Sequence, residues 1–143
     1  MNILRLIACI TAFCVVSSSS FSQKDFVKDA NDAFKNESYF SAKELYKKAE
    51  AKAKPIKKAW INFQIGECYR NLIEPAQAQT YYNRAIKLKY DRTDPIVLLY
   101  LAEVLKEQGE YKEAQVQYEE FVKNISKLIL QETDPEVLKI EKY

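Results

Sequence analysis

Histidine is missing from this chain of 143 residues, and it has only two glycines, one methionine and one tryptophan. Each scarcity removes a kind of chemistry. Without imidazole there is no side chain that normally titrates near neutrality and no histidine metal ligand. Gly66 and Gly109, far apart in the chain, cannot form a glycine-rich phosphate loop. Three cysteines are present, but Cys9 and Cys14 fall in an N-terminal stretch with the marks of a removable leader, which leaves Cys68 alone and an internal disulfide impossible. Cys68 stands between Gly66 and Tyr69 in a helical pattern, where a thiol acts as a small apolar filler rather than a nucleophile. Carboxylates are plentiful, yet none form a pair that an apolar pocket would perturb. No catalytic residue, cofactor or metal ligand is assigned, and an enzyme is not expected.

Long apolar runs are scarce as well. The longest, "LIACITAFCVV", is too short to span a bilayer comfortably and is preceded by Arg5, the only charge among the first 22 residues. Small residues at Ser20 and Ser22 flank Phe21, so residues 1–22 are expected to be a signal peptide cut before Gln23. The alternatives are a retained N-terminal anchor, or lipidation at Cys9, which follows Leu6-Ile7-Ala8, or at Cys14. The product is expected in the periplasm or associated with the outer membrane. Charge is unevenly spread: residues 23–92 carry 15 basic and 9 acidic side chains, and residues 93–143 carry 6 and 11. The lysines at 43, 47, 48, 52, 54, 57 and 58 are expected to form a solvated helix face; without interleaved aromatics they do not make a nucleic-acid patch.

What is present in abundance is repetition. Ala42, Ala78 and Ala114 are spaced by 36 residues, and the same period relates Tyr46, Tyr82 and Tyr118. It also relates Ala49, Ala85 and Phe121; Ala30, Gly66 and Ala102; and Tyr39, Pro75 and Tyr111. A small residue at one position lets two antiparallel helices approach, an alanine does the same on the partner helix, and a tyrosine fills the seam. Apolar positions recur at threes and fours, as in Ile65, Tyr69 and then Ala78, Tyr82, Ala85, and strand alternation is absent. The class is all-α: three helix hairpins at about residues 24–57, 60–93 and 96–123, with 124–143 as a capping helix or the start of a further repeat.

These residues resemble the tetratricopeptide repeat over about residues 24–123. The best copy is "IGECYRN" followed by "AQAQTYYNRAIKL", and the first is weakest, with Asp29 in a slot for a large apolar residue. The resemblance implies a right-handed solenoid whose first helices line a groove for a protein or peptide. In that register the groove carries Val27, Asn31 and Phe34, then Trp60, Phe63, Glu67 and Arg70, then Ile96, Leu99, Glu103 and Lys106. The residues expected to pack the repeats are Ala30, Ala42, Tyr46, Ala49, Gly66, Tyr69, Ala78, Tyr82, Ala85, Ala102, Ala114 and Tyr118. A clamp for a C-terminal carboxylate would use the slots of Val27, Asn31, Gln64, Ile96 and Tyr100, and only Asn31 fits.

The whole pattern also resembles the N-terminal repeat region of OmpA-family outer-membrane proteins linked to gliding motility and type IX secretion. That implies an envelope scaffold. The peptidoglycan-gripping residues of that family's OmpA-like domain are not among these 143, so peptidoglycan binding is not carried over. The chain closes on "TDPEVLKIEKY", in which Asp134 and Pro135 are helix-opening residues, so a further repeat is one expectation and a short cap the other. The second functional expectation is a self-association module whose oppositely charged ends stack head to tail.

Overall fold

The computed structural model describes residues 25–132, which form six α-helices and a short 3₁₀ turn, with no strand among the described residues. The expected signal peptide and the helix start at Asp134 lie outside them. Helices α1 (Phe26–Lys35) and α2 (Tyr39–Glu50) form the first hairpin, α3 (Pro55–Asn71) and α4 (Pro75–Lys87) the second, and α5 (Ile96–Glu107) and α6 (Tyr111–Glu132) the third. Each helix packs chiefly on its neighbours in the chain, within a hairpin and from one hairpin to the next. The result is an α solenoid. Residues 124–132 continue α6 rather than forming a separate helix.

Helix starts follow local chemistry. The Asp25 carboxylate accepts from the backbone N–H of Val27 at 3.2 Å and of Lys28 at 3.4 Å, which satisfies donors that have no partner inside the helix. Pro55 and Pro75 open α3 and α4, where a missing N–H costs nothing. Asp94 accepts from the N–H of Ile96 at 3.1 Å before α5.

Each hairpin turns in the same way, and the period of 36 reaches the backbone. Glu37, Ile73 and Gly109 all take positive φ, at 58°, 60° and 81°. The N–H of the residue after each donates back to a carbonyl at the helix end: Ser38 to Ala33, Glu74 to Tyr69 and Glu110 to Leu105, all at 2.9 Å. Only the third copy has glycine at that position. Ile73 is β-branched, in the left-handed region, and 86% exposed. A left-handed residue other than glycine carries about 1–2 kcal/mol of steric cost. Ile73→Gly is therefore expected to stabilise the fold by about 1 kcal/mol, less any added entropy of the unfolded glycine. A urea midpoint that falls on this change would contradict the backbone assignment.

Small residues line the seams. Ala30, Ala42, Ala78, Ala85 and Ala102 are fully buried, with Tyr46 and Tyr82 filling the space between helices. Tyr69 is buried and Gly66 lies in the core, while Ala49 and Tyr118 are half-buried at the edges. Gly66 answers a specific need: a Cβ there would stand 2.6 Å from two atoms of the Tyr82 ring.

Lys48, Lys52, Lys54 and Lys57 are exposed, whereas Lys43 and Lys47 depart from the solvated face. Lys43 is only 7% exposed. Its ammonium lies 4.5 Å from the Phe40 ring centre and 4.7 Å from that of Tyr69, and Lys47 donates to the Tyr69 hydroxyl at 3.0 Å. The cations rest on electron-rich ring faces while their methylene stems are buried, so they join α2 to α3.

Candidate partner-binding surface

The residues expected to line a groove divide into two groups. Phe63 and Glu67 are buried, at 7% and 8% exposed, and are corrected from groove contacts to parts of the frame. The Phe63 ring stacks at 5.0 Å on Tyr90 and 6.2 Å on Tyr100, and lies 6.0 Å from Tyr82. It ties the second hairpin to the third through the 3₁₀ turn Tyr90–Arg92. An aromatic so enclosed contributes by area and ring geometry, and a partner cannot reach it.

Glu67 is held from two sides. The Tyr82 hydroxyl donates to Oε1, and the Arg70 guanidinium donates through Nε at 3.2 Å and Nη2 at 2.7 Å. Arg70 in turn lies 4.4 Å above the Tyr100 ring of α5. A buried carboxylate is stable only with such charge-assisted donors around it. Burial, and then the Glu67 charge, push the Tyr82 hydroxyl far above its ordinary pKa. The bond to Glu67 raises the Arg70 pKa in the same way.

The first hairpin has the same device in neutral form. The Tyr46 hydroxyl donates to Asn31 Oδ1 at 2.7 Å, so Asn31 also serves the hairpin. Asn31, Glu67 and Glu103 share the period of 36 with Tyr46, Tyr82 and Tyr118. That coincidence is the signal by which the sequence could have reassigned Asn31 and Glu67. A polar residue at i and a tyrosine at i+15 meet across the seam in the first two hairpins.

The other groove residues keep accessible surface. Phe34, Arg70, Ile96, Leu99 and Glu103 are partly exposed and Lys106 is exposed, all on the first helices of their hairpins. Phe34 meets Tyr39 edge-on at 5.2 Å. Trp60 is half-buried, edge to face with Tyr46 at 5.9 Å and 83°, so one side of the indole joins the first two hairpins. Its other side contributes to an open cleft with Lys54, Pro55, Ile56 and Lys57. Ile56 is 90% exposed. The sequence marked Trp60 but not this neighbour, although "KPIKKAW" places an apolar residue between lysines at a helix start, where nothing in the repeat covers it.

Cys68 is fully buried, and burial followed by the nearby Glu67 charge pushes its thiol up to about 12, so it stays protonated. Among the described residues no three acidic or cysteine side chains are grouped to hold a metal. No described helix is long and apolar enough to cross a membrane.

A solenoid of three helix hairpins whose first helices keep partly exposed apolar side chains is the architecture of a module that holds other chains. Residues 62–89 and 97–124, which fall largely within the second and third hairpins, each match the family model of the tetratricopeptide repeat. The first hairpin lies outside the matches; its Asp29 occupies a position where the pattern wants a large apolar residue. No curated protein matches the chain. A solved structure of pilF from Pseudomonas aeruginosa superposes with a TM-score of 0.62 at 21% identity, over 69% of this chain and 44% of that one. At that identity the likeness is one of fold, and this chain spans less than half the length of pilF.

Proposed function

We propose that this chain is a non-enzymatic scaffold of the bacterial cell envelope that holds a protein or peptide partner, and that it belongs to the repeat region of an OmpA-like anchor protein. The observation that supports it best is the residual exposure of apolar and aromatic side chains on a frame already complete without them. Ile96, Leu99 and one side of Trp60 are not used up by the core, while Phe63 and Glu67 hold the hairpins at fixed spacing. Preorganised surfaces of this kind lose little entropy when a partner docks. The N-terminal leader pattern supports export.

The test is capture of envelope proteins on the full chain and on a Leu99→Asp/Lys106→Glu variant, with helicity followed by circular dichroism. The variant should recover its partner on the order of tenfold less well at unchanged helicity. Full recovery would remove the groove from the proposal. Phe63→Ala is unsuited to this purpose because its first effect would be on folding. Sedimentation at low and high salt separates the scaffold from the head-to-tail module, which requires salt-sensitive self-association.

A further inference from the structure

The most distinctive surface at the edge of the groove lies at the junction of the first two hairpins, where two clefts adjoin. One, of about 490 Å³, is bounded by the start of α1, the end of α2 and the start of α3, with Phe26, Val27, Ala49 and Ala53 as apolar walls. The other, of about 600 Å³, is walled by Pro55, Ile56 and Trp60 and shares Lys54 and Lys57 with the first. Four lysines surround the pair: Lys48, Lys52, Lys54 and Lys57. Among the described residues none of the four has a carboxylate partner, whereas Lys47 and Lys58 are paired with Glu44 and Glu50. The one anionic group in the cleft, Asp25, already caps α1.

Uncompensated like charges held around an apolar floor repel one another, and a ligand that brings opposite charge relieves that repulsion. We infer that this junction is a docking site for an acidic amphipathic peptide segment, with an apolar side chain beside Ile56 and Trp60 and carboxylates facing Lys48, Lys52, Lys54 and Lys57. The inference rests on the scaffold reading above and gives the partner a chemistry. The concave shape favours a peptide: a cleft of a few hundred Å³ accepts a few side chains, whereas the surface of an anionic bilayer calls for an outward-curved basic face.

Trp60 is the only tryptophan, so its emission reports on this cleft directly. The full chain is titrated with a short synthetic peptide in which glutamates flank two leucines, with the same peptide carrying glutamines, and with phosphatidylglycerol vesicles. The acidic peptide should give a saturable shift of Trp60 emission that weakens with salt, and Lys54→Glu/Lys57→Glu should reduce its affinity on the order of tenfold or more. The glutamine peptide should give no shift. An equal response to both peptides, no response to either, or a response to vesicles alone would overturn the docking site. Envelope capture separates this failure from that of the scaffold reading. If the partner is lost with Leu99→Asp/Lys106→Glu and retained with Lys54→Glu/Lys57→Glu, the scaffold stands and the junction site falls. If both variants retain it, the groove and the junction site both fall.

Discussion

Gly66→Ala is expected to lower the free energy of unfolding by about 1–3 kcal/mol, seen as a reduced urea midpoint at unchanged slope. Helix propensity alone predicts the opposite, a gain of up to about 1 kcal/mol for replacing glycine inside a helix. Sterics decide the sign. The added Cβ would lie 2.6 Å from both Cδ1 and Cε1 of Tyr82, well inside van der Waals contact. That ring has no exposed surface into which to move, and its hydroxyl is fixed on Glu67. Either α3 and α4 separate, or the Tyr82 hydrogen bond is lost and a buried carboxylate is left with fewer donors. The corresponding positions in the other hairpins, Ala30 and Ala102, already accommodate a methyl group. A double-mutant cycle isolates the contact: with Tyr82→Leu present, Gly66→Ala should cost clearly less than in the wild type. A stabilised Gly66→Ala protein would show that the seam relaxes more easily than its packing implies.

The fold should also be labile in alkali, losing stability from about pH 9 upwards. Burial raises the hydroxyl pKa of Tyr46 and Tyr82 far above the ordinary 10.0, and that of Tyr90 to about 12. It moves the Cys68 thiol from 9.0 to about 12. In the unfolded chain these groups lose their protons near their ordinary values, while the folded chain retains them. The unfolded state thus binds fewer protons across this window, so stability falls as pH rises. It is fully present below pH 9, where both states hold the protons. Each group contributes a slope of up to about 1.4 kcal/mol per pH unit between its two values. Denaturation midpoints measured from pH 8 to pH 11 should decline with steepening slope, and Tyr82→Phe should flatten the curve. Midpoints constant over that range would mean that the tyrosines are not buried as described.

Both effects come from the seams, and the seams are where the sequence is most legible. A period of 36 across alanines and tyrosines is a statement about helix approach, because only small residues admit a neighbouring helix and only a large one fills what remains. The hairpins, their order and most of their packing residues follow from that alone. Proline at the starts of α3 and α4 and glycine at Gly109 mark boundaries by backbone chemistry that needs no tertiary contact.

The surface was less legible, because which face of a helix stays exposed depends on what packs against it. Phe63 and Trp60 lie on the same side of α3 and look alike as candidate anchors. Tyr90 and Tyr100, contributed by the next hairpin and its linker, enclose the first and leave the second half open. Glu67 looks like a surface carboxylate until Tyr82 and Arg70 converge on it. Lys43 looks solvated until Tyr69 from α3 comes beneath it. Glu37 and Ile73 occupy left-handed positions that their residue types would never announce, imposed by the same turn that Gly109 makes without strain. Local periodicity therefore determined the helices and their seams, since those depend on side chains within a single hairpin. The division of the first-helix faces into frame and open surface was decided only in the tertiary structure, because it depends on residues that approach from a different hairpin.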